Sequence, residues 1–284
     1  MMNLGIFQKS QIMTDKPVER YLFFSWNVDG YDDYIHPRLT FLLQQYSPDI
    51  VFLSETKRPL TELAARFATF EKYNYVVNVH VPSNFHGVAM LIRKPHTFSQ
   101  MAINMNIPVR KDTKSTEAAT GRVIVINFNN EMYVIGSYTP NSGRSDQVKL
   151  DYRTKVWDPA FYALLEILRK SGPTVWMGDI NVALDEIDVS NPSTMSSYAG
   201  FTLPERNNFR AILNTKQWFD AWRQQHPNAK QYTWVGATYK PNYGMRLDNI
   251  LVSENLLSKV SETFMICEGK ATADHIPVCI YLSK

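Results

Sequence analysis

The stretch TVWMGDINVALDEIDVSNP, Thr174 to Pro192, decides how this chain is read. An apolar run of strand length ends in Gly-Asp-Ile-Asn, and three more acids follow at once, Asp185, Glu186 and Asp188. Asp179 and Asn181 are two residues apart, so an extended chain turns both toward one side. A buried strand gains nothing from ending in a carboxylate and an amide. A site that needs an anionic base beside a neutral hydrogen-bond donor does.

Working outward, runs of the same kind recur at 21–28 (YLFFSWNV), 49–55 (DIVFLSE), 87–93 (GVAMLIR), 122–128 (RVIVINF), 132–139 (MYVIGSYT), 248–253 (DNILVS) and 276–282 (IPVCIYL). They are rich in Val, Ile, Phe and Tyr and are bounded by turn residues, as strands are. DIVFLSE is apolar on both faces, which suits a strand covered on each side. Helical periodicity lies between them. Leu39, Leu42, Leu43 and Tyr46 fall at i, i+3, i+4 and i+7, and Leu150, Trp157, Phe161, Leu164 and Leu168 trace a stripe over 148–171. Thr202 and Glu205 have capping-box spacing. Strands and helices interleave, yet the close pair 122–128 and 132–139 implies a hairpin. The expectation is an α/β fold with two mixed sheets packed face to face and helices outside.

The bulk numbers bound the function. The 284 residues carry a net charge of +3, 44% apolar residues and two cysteines, Cys267 and Cys279. That excludes a disulfide framework and a cysteine zinc cluster. No apolar run reaches membrane-span length. No signal-peptide pattern opens the chain, so an intracellular location is expected. Residues 1–19 read as a disordered or extended tail, and 20–284 as one domain.

The polar residues at the strand ends form a chemically coherent set. Asp29, Glu55 and Asp274 are hard oxygen ligands of the kind Mg²⁺ takes, with Asn27 beside them. Asp179 is placed to orient or deprotonate a water. Asn181, His275 and Tyr138 can stabilise charge on a phosphoryl group, and Asp248 can hold His275 in one tautomer. The parts suit metal-assisted phosphodiester hydrolysis. Read singly, each has a plainer explanation. GD after a strand is a turn, Glu55 caps the helical segment after it, and Asn27 and Asp29 precede Gly30 in a β-turn. Asp248 pairs with Arg246, Tyr138 is packing, and Asp185 to Asp188 form a solvated loop.

Taken together and in order, SWNVDG, PDIVFLSETK, GVAMLIRK, YTPNSGR, GDINVALDEIDVSNP, GFTLPER, RLDNILVSENL and ADHIPV resemble the blocks of the exonuclease III type of abasic-site endonucleases, within the endonuclease/exonuclease/phosphatase superfamily. The resemblance spans about 20–284. It implies a DNase I-like four-layer α/β sandwich and Mg²⁺-dependent incision of duplex DNA 5′ to an abasic site, leaving a 3′-hydroxyl, with Mn²⁺ able to substitute. It implies metal ligands at Asp29 and Glu55 with Asp274 and Asn27 close by, and catalysis by Asp179, Asn181, Tyr138, His275 and Asp248. Lys57 would neutralise nearby acids. Asn141, Arg144 and Arg246 would contact DNA, and Trp234, Met245 and Leu247 would wall a pocket for the flipped-out sugar. A monomer acting on abasic sites or 3′ ends is expected, nuclear in a eukaryote and cytoplasmic otherwise. Rival readings are a 3′–5′ exonuclease or 3′-end phosphodiesterase, a phosphoinositide phosphatase, and a catalytically silent DNA-binding module. The chain departs from the family pattern at Met245 (usually Trp), at Asn249 (usually Tyr), at the acids Asp32 and Asp33, and in a short 235–244 loop.

Overall fold

The computed structural model describes residues 19–80, 85–103, 105, 121–236, 243–267 and 273–284. The tail before residue 19 and the 237–242 part of the short loop lie outside the described residues. The strands, in chain order, are β1 (Arg20–Asn27), β2 (Ile50–Ser54), β3 (Tyr73–Val79), β4 (Gly87–Arg93), β5 (Phe98–Gln100), β6 (Val123–Phe128) and β7 (Met132–Tyr138). After them come β8 (Thr174–Asp179), β9 (Trp218–Asp220), β10 (Trp234–Val235), β11 (Gly244–Met245), β12 (Asp248–Ser253), β13 (Val260–Met265) and β14 (Val278–Ser283). One six-stranded sheet has the order β13-β14-β1-β2-β4-β3 and the other β5-β6-β7-β8-β12-β9, with β10 and β11 forming a small separate ribbon. Each sheet is mixed. β1 and β2 run parallel in the first, β7 and β8 in the second, and the other pairs are antiparallel.

Alternation along the strands makes the layers. Phe23, Phe52, Met90, Ile126, Val134, Met177, Ile250 and Ile280 fill the space between the sheets. Their neighbours Phe24, Val51, Leu53 and Leu91 face outward under the helix Ile35–Tyr46. On the far side Val125, Ile135, Trp176 and Leu251 pack beneath the helices Asp158–Ser171 and Leu203–Asn214. This is the expected helix-sheet-sheet-helix sandwich. It also explains why DIVFLSE is apolar throughout, because both of its faces are covered.

The helices follow local chemistry, with one surprise. Thr202 and Glu205 do form a capping box, and Glu205 Oε2 also accepts from Gly200 N–H at 2.9 Å. The 148–171 segment is continuous but contains a π-helical turn, Arg153–Trp157. That turn offsets the residues before it from those after it, so Tyr152 is buried while Leu150 of the predicted stripe is only half-buried. Leu165 is fully buried beside Trp157, Phe161 and Leu168, while Leu164 packs at the margin.

Gly178 sits where no other residue fits. Its φ is +146°, and a Cβ there would lie 1.9 Å from the Ser137 carbonyl oxygen of the parallel neighbour β7. Gly178→Ala is therefore expected to cost about 3 kcal/mol or more, from backbone strain plus forced separation of β7 from β8. Urea denaturation checks this; a midpoint within error of wild type contradicts it.

Candidate active site

Strand direction gathers the site. In the parallel pairs Asn27 lies beside Ser54 and Tyr138 beside Asp179. Asn27, Glu55, Tyr138 and Asp179 therefore emerge at one end of the sandwich. The antiparallel β12 begins there, with Asp248 opposite Asp179. β14 runs antiparallel to β1, so Asp274 and His275 enter the same end. Asp29, Glu55, Lys57 and Asn181 have φ values of 45°, 54°, 50° and 51°. Left-handed backbone is unfavourable for side-chain-bearing residues and concentrates at functional sites.

Asp29, Glu55, Tyr138, Asn141, Arg144, Asp179, Asn181, Trp234, Met245, Leu247, Asp274 and His275 line one cavity of about 400 Å³. A larger groove of about 560 Å³, lined by Phe67, Tyr73, Tyr75, Lys94 and Phe98, has no comparable group of acids with a histidine. The candidate site is therefore the smaller one.

Asp179 is the centre of the network. Its Oδ2 accepts from Asn27 Nδ2 at 2.9 Å and its Oδ1 from Asn181 N–H at 2.9 Å. Burial, reinforced by the Asp248 charge and opposed by His275, raises its pKa to about 7. A carboxyl poised there suits a general base. His275 Nδ1 donates to Asp248 Oδ2 at 2.6 Å. Burial lowers the histidine pKa, but the Asp248 charge and hydrogen bond outweigh it and the result is raised to about 10. His275 is thus an imidazolium at neutral pH, with Nε2–H free of the pairing to Asp248. Burial first, then the Glu55 charge, pushes the Tyr138 pKa well up, so its hydroxyl remains a donor.

Asn181 Nδ2 donates to Thr139 O at 2.8 Å, and Asn141 Nδ2 donates to Asn181 Oδ1 at 3.1 Å. The loops after β7 and β8 are locked to each other by Arg153, from the π-helical turn. Its Nη1 donates to Pro140 O at 2.9 Å and its Nη2 to Ile180 O at 2.9 Å, with Asp158 2.7 Å from Nε. Sequence reading missed this clamp; the signal was one arginine on the buried side of an apolar helix.

Two groups of acids could take a cation. Asp179, Asp248 and His275 offer ligand atoms within 4.8 Å of one another. There, however, the imidazole is protonated and its Nδ1 is already committed to Asp248. The other group fits better. Lys57 Nζ lies 2.5 Å from Asp29 Oδ1 and 2.8 Å from Glu55 Oε2, so an ammonium already sits between carboxylates that would suit a metal ion. Asp274 is on the same cavity. Asn27 lies among these acids, as expected. Its amide nitrogen faces Glu55 at 2.7 Å and Asp179, and its Oδ1 accepts from Asp29 N–H at 3.0 Å. It spaces the acids apart.

Of the residues expected at DNA, Asn141 and Arg144 reach the cavity rim, Arg144 with its guanidinium 4.7 Å over the Tyr198 ring. Trp234, Met245 and Leu247 form an apolar wall, and Tyr198 completes it without having been foreseen. Arg246 is corrected. It is 1% exposed, and its guanidinium binds Asp188 at 2.7 Å, Asp220 at 2.8 Å and the side-chain Oδ1 of Asn249, so no phosphate reaches it. Alternation accounts for the miss: Met245 and Leu247 face the cavity, so Arg246 between them faces the interior. Asp188 is likewise no solvated-loop residue; Arg246 and Arg223 hold its carboxyl below the usual range despite burial. Asn249 stands where the family pattern has tyrosine, and serves this network.

Comparison with known proteins agrees with the geometry. The family model described as Endonuclease/Exonuclease/phosphatase family matches residues 24–275. The chain is 32% identical over 259 residues to a DNA-(apurinic or apyrimidinic site) endonuclease of Dictyostelium discoideum, covering 89% of this chain and 68% of that one. It is 30% identical to an exodeoxyribonuclease of Bacillus subtilis, covering 89% and 96%. Among solved structures, the AP endonuclease of Leishmania major superposes with a TM-score of 0.79 at 22% identity, covering 95% of this chain and 90% of that one. With the matched segment running from β1 to His275, the chain belongs to the endonuclease/exonuclease/phosphatase family.

Proposed function

We propose that this protein is a Mg²⁺-dependent DNA repair nuclease that hydrolyses the phosphodiester 5′ to an abasic site in duplex DNA and leaves a 3′-hydroxyl. One observation carries the reading: the buried base Asp179, the Asp248–His275 pair and the apolar wall of Trp234, Met245 and Leu247 open on one cavity. A phosphate-cleaving apparatus beside an apolar wall matches a deoxyribose that has lost its base, the nucleotide that is cheapest to extrude. The relatives named for abasic-site cleavage support the choice.

Arg144 and Asn141 at the rim hold backbone phosphates and set register. Asp179 takes a proton from the attacking water, which approaches in line with the leaving 3′-oxygen. His275 Nε2–H, the Asn181 amide and the Tyr138 hydroxyl donate to the phosphoryl oxygens as charge develops there. Asn27 keeps Asp179 and Glu55 apart, and Lys57 reduces the repulsion between Asp29 and Glu55. Glu55, Asp29 and Asp274 would hold the Mg²⁺, whose charge, when bound, stabilises the phosphate and the leaving oxygen. We place the enzyme inside the cell with its DNA, acting as a monomer.

A second reading, a 3′–5′ exonuclease or 3′-end phosphodiesterase, is favoured by Met245, since a flexible thioether wall discriminates less than a rigid ring. The structural relative described as a 3′-5′ exonuclease from Neisseria meningitidis shares the fold at a TM-score of 0.74. One gel decides between them. Incision of a duplex with an internal tetrahydrofuran abasic analogue is expected with Mg²⁺, is lost in EDTA, and exceeds trimming of a recessed 3′ end. Faster trimming selects the second reading, and cleavage that persists in EDTA removes both.

A further inference from the structure

Trp234 belongs to two surfaces at once. Its ring lines the cavity beside Met245, Leu247 and Tyr198. Its Nε1–H donates to Asp274 Oδ2 at 2.7 Å. Backbone contacts fix it from both directions. Trp234 pairs with Met245 across the β10–β11 ribbon and bridges to His275, while Val235 N–H donates to Asp274 O at 3.0 Å and Ile276 N–H to Thr233 O at 2.8 Å. Thr233 Oγ1 in turn accepts from Leu247 N–H at 2.9 Å and Asp248 N–H at 3.0 Å. The short β10 strand therefore joins the apolar wall to both ends of the catalytic apparatus.

A carboxylate rotates easily about its terminal torsion, and a donor fixed on one oxygen sets the plane of the other. Indole N–H has no acceptor role to exchange into. With Oδ2 held, Asp274 Oδ1 remains for a cation, 3.9 Å from His275 Nε2.

We propose that Trp234 is a positioning residue that aims Asp274 at the divalent cation and, because the same ring walls the pocket, links nucleotide occupancy to cation affinity. This rests on the proposed function, in which Asp274 faces the cation. Groups that orient a metal ligand from outside typically contribute ~10-fold or more to metal affinity. Coupling between two sites is reciprocal, so DNA should tighten the cation by the factor by which the cation tightens DNA.

Trp234→Phe keeps an apolar wall and removes only the N–H donor. Mn²⁺ binding, read from the EPR signal of free Mn²⁺, is compared in wild type, Trp234→Phe and Asp274→Asn, with and without a duplex carrying a cleavage-resistant tetrahydrofuran site. Trp234→Phe is expected to weaken Mn²⁺ ~10-fold without DNA. The duplex should tighten Mn²⁺ ~5-fold or more in wild type and by much less in Trp234→Phe. An isotherm for Trp234→Phe that overlays wild type overturns the proposal if Asp274→Asn weakens binding. If Asp274→Asn also overlays wild type, the cation reading of Asp274 fails first, and the proposal with it. Should Trp234→Phe misfold, the indole ¹H–¹⁵N signals of wild type test the orienting role instead: a Trp234 Nε1–H resonance that shifts on Mg²⁺ addition supports it, and one unmoved by Mg²⁺ rejects it.

Discussion

Asp179→Asn is expected to lower kcat for abasic-site incision by about 10³-fold or more, the loss usual for a preorganised catalytic group. An amide takes no proton from water at any working pH. Stability should barely change, because two effects oppose. The native carboxyl has a pKa of about 7, so its ionised form is disfavoured by folding, and replacing it removes that penalty above neutral pH. Against this, both oxygens accept hydrogen bonds, from Asn27 Nδ2 and Asn181 N–H, and an amide meets only one of them. A hydrogen bond to a charged group is worth about 1.5–3 kcal/mol, which offsets most of the charge relief. The melting temperature should therefore move by only a few degrees. Single-turnover kinetics beside a thermal melt tests both halves. Near-normal turnover in a folded variant would falsify the assignment of Asp179 as the base.

The second large effect concerns folding. Arg246 and Arg223 converge on Asp188 Oδ1, at 2.7 Å and 2.5 Å. Asp188→Ala leaves one fully buried guanidinium with only Asp220 and Asn249 to compensate it. Breaking a buried pair from one side costs about 3–5 kcal/mol. The comparison is Asp33→Ala, which removes an ion pair to Arg66 from a side chain that is 89% exposed; exposed pairs are worth about 0–1 kcal/mol. The acid limb has a defined sign. The native pKa of Asp188 is depressed, so its contribution is complete above the unfolded value and is lost as pH falls through the native one. Urea titrations of the two variants separate the cases, and equal midpoints would sink the claim. The loss also reaches the cavity, because Asp188 O accepts from Arg246 N–H at 2.9 Å and Val189 bridges to Met245.

Much of the molecule was readable from sequence, for a physical reason. Strands buried on both faces tolerate polar residues only at their ends, so Glu55, Tyr138 and Asp179 stood out. The layering followed from helices interleaved with strands apolar on both faces, and the capping box at Thr202 from spacing. Short or polar strands were not readable. VSETFM of β13 has exposed polar residues, and WV of β10 is two residues long, so neither carries a period. The π-helical turn was hidden because its five residues look helical. Side-chain direction was the other blind spot. Asp188 and Arg246 sit among loop-like and cavity-facing neighbours, and nothing local shows that they turn inward to meet.

The two parallel pairs, β1–β2 and β7–β8, have one consequence for how this enzyme can fail. Glu55 and Asp29 ride on one sheet, Asp179 and Tyr138 on the other, so the reacting atoms straddle a seam. Interior packing, such as the Phe52 ring seated where Gly136 leaves room, fixes how far one half slides over the other, together with cross-seam hydrogen bonds such as Asn27–Asp179. A bulky substitution at Gly136, deep in that seam and touching no catalytic group, would splay the two halves and spoil catalysis before it melts the protein.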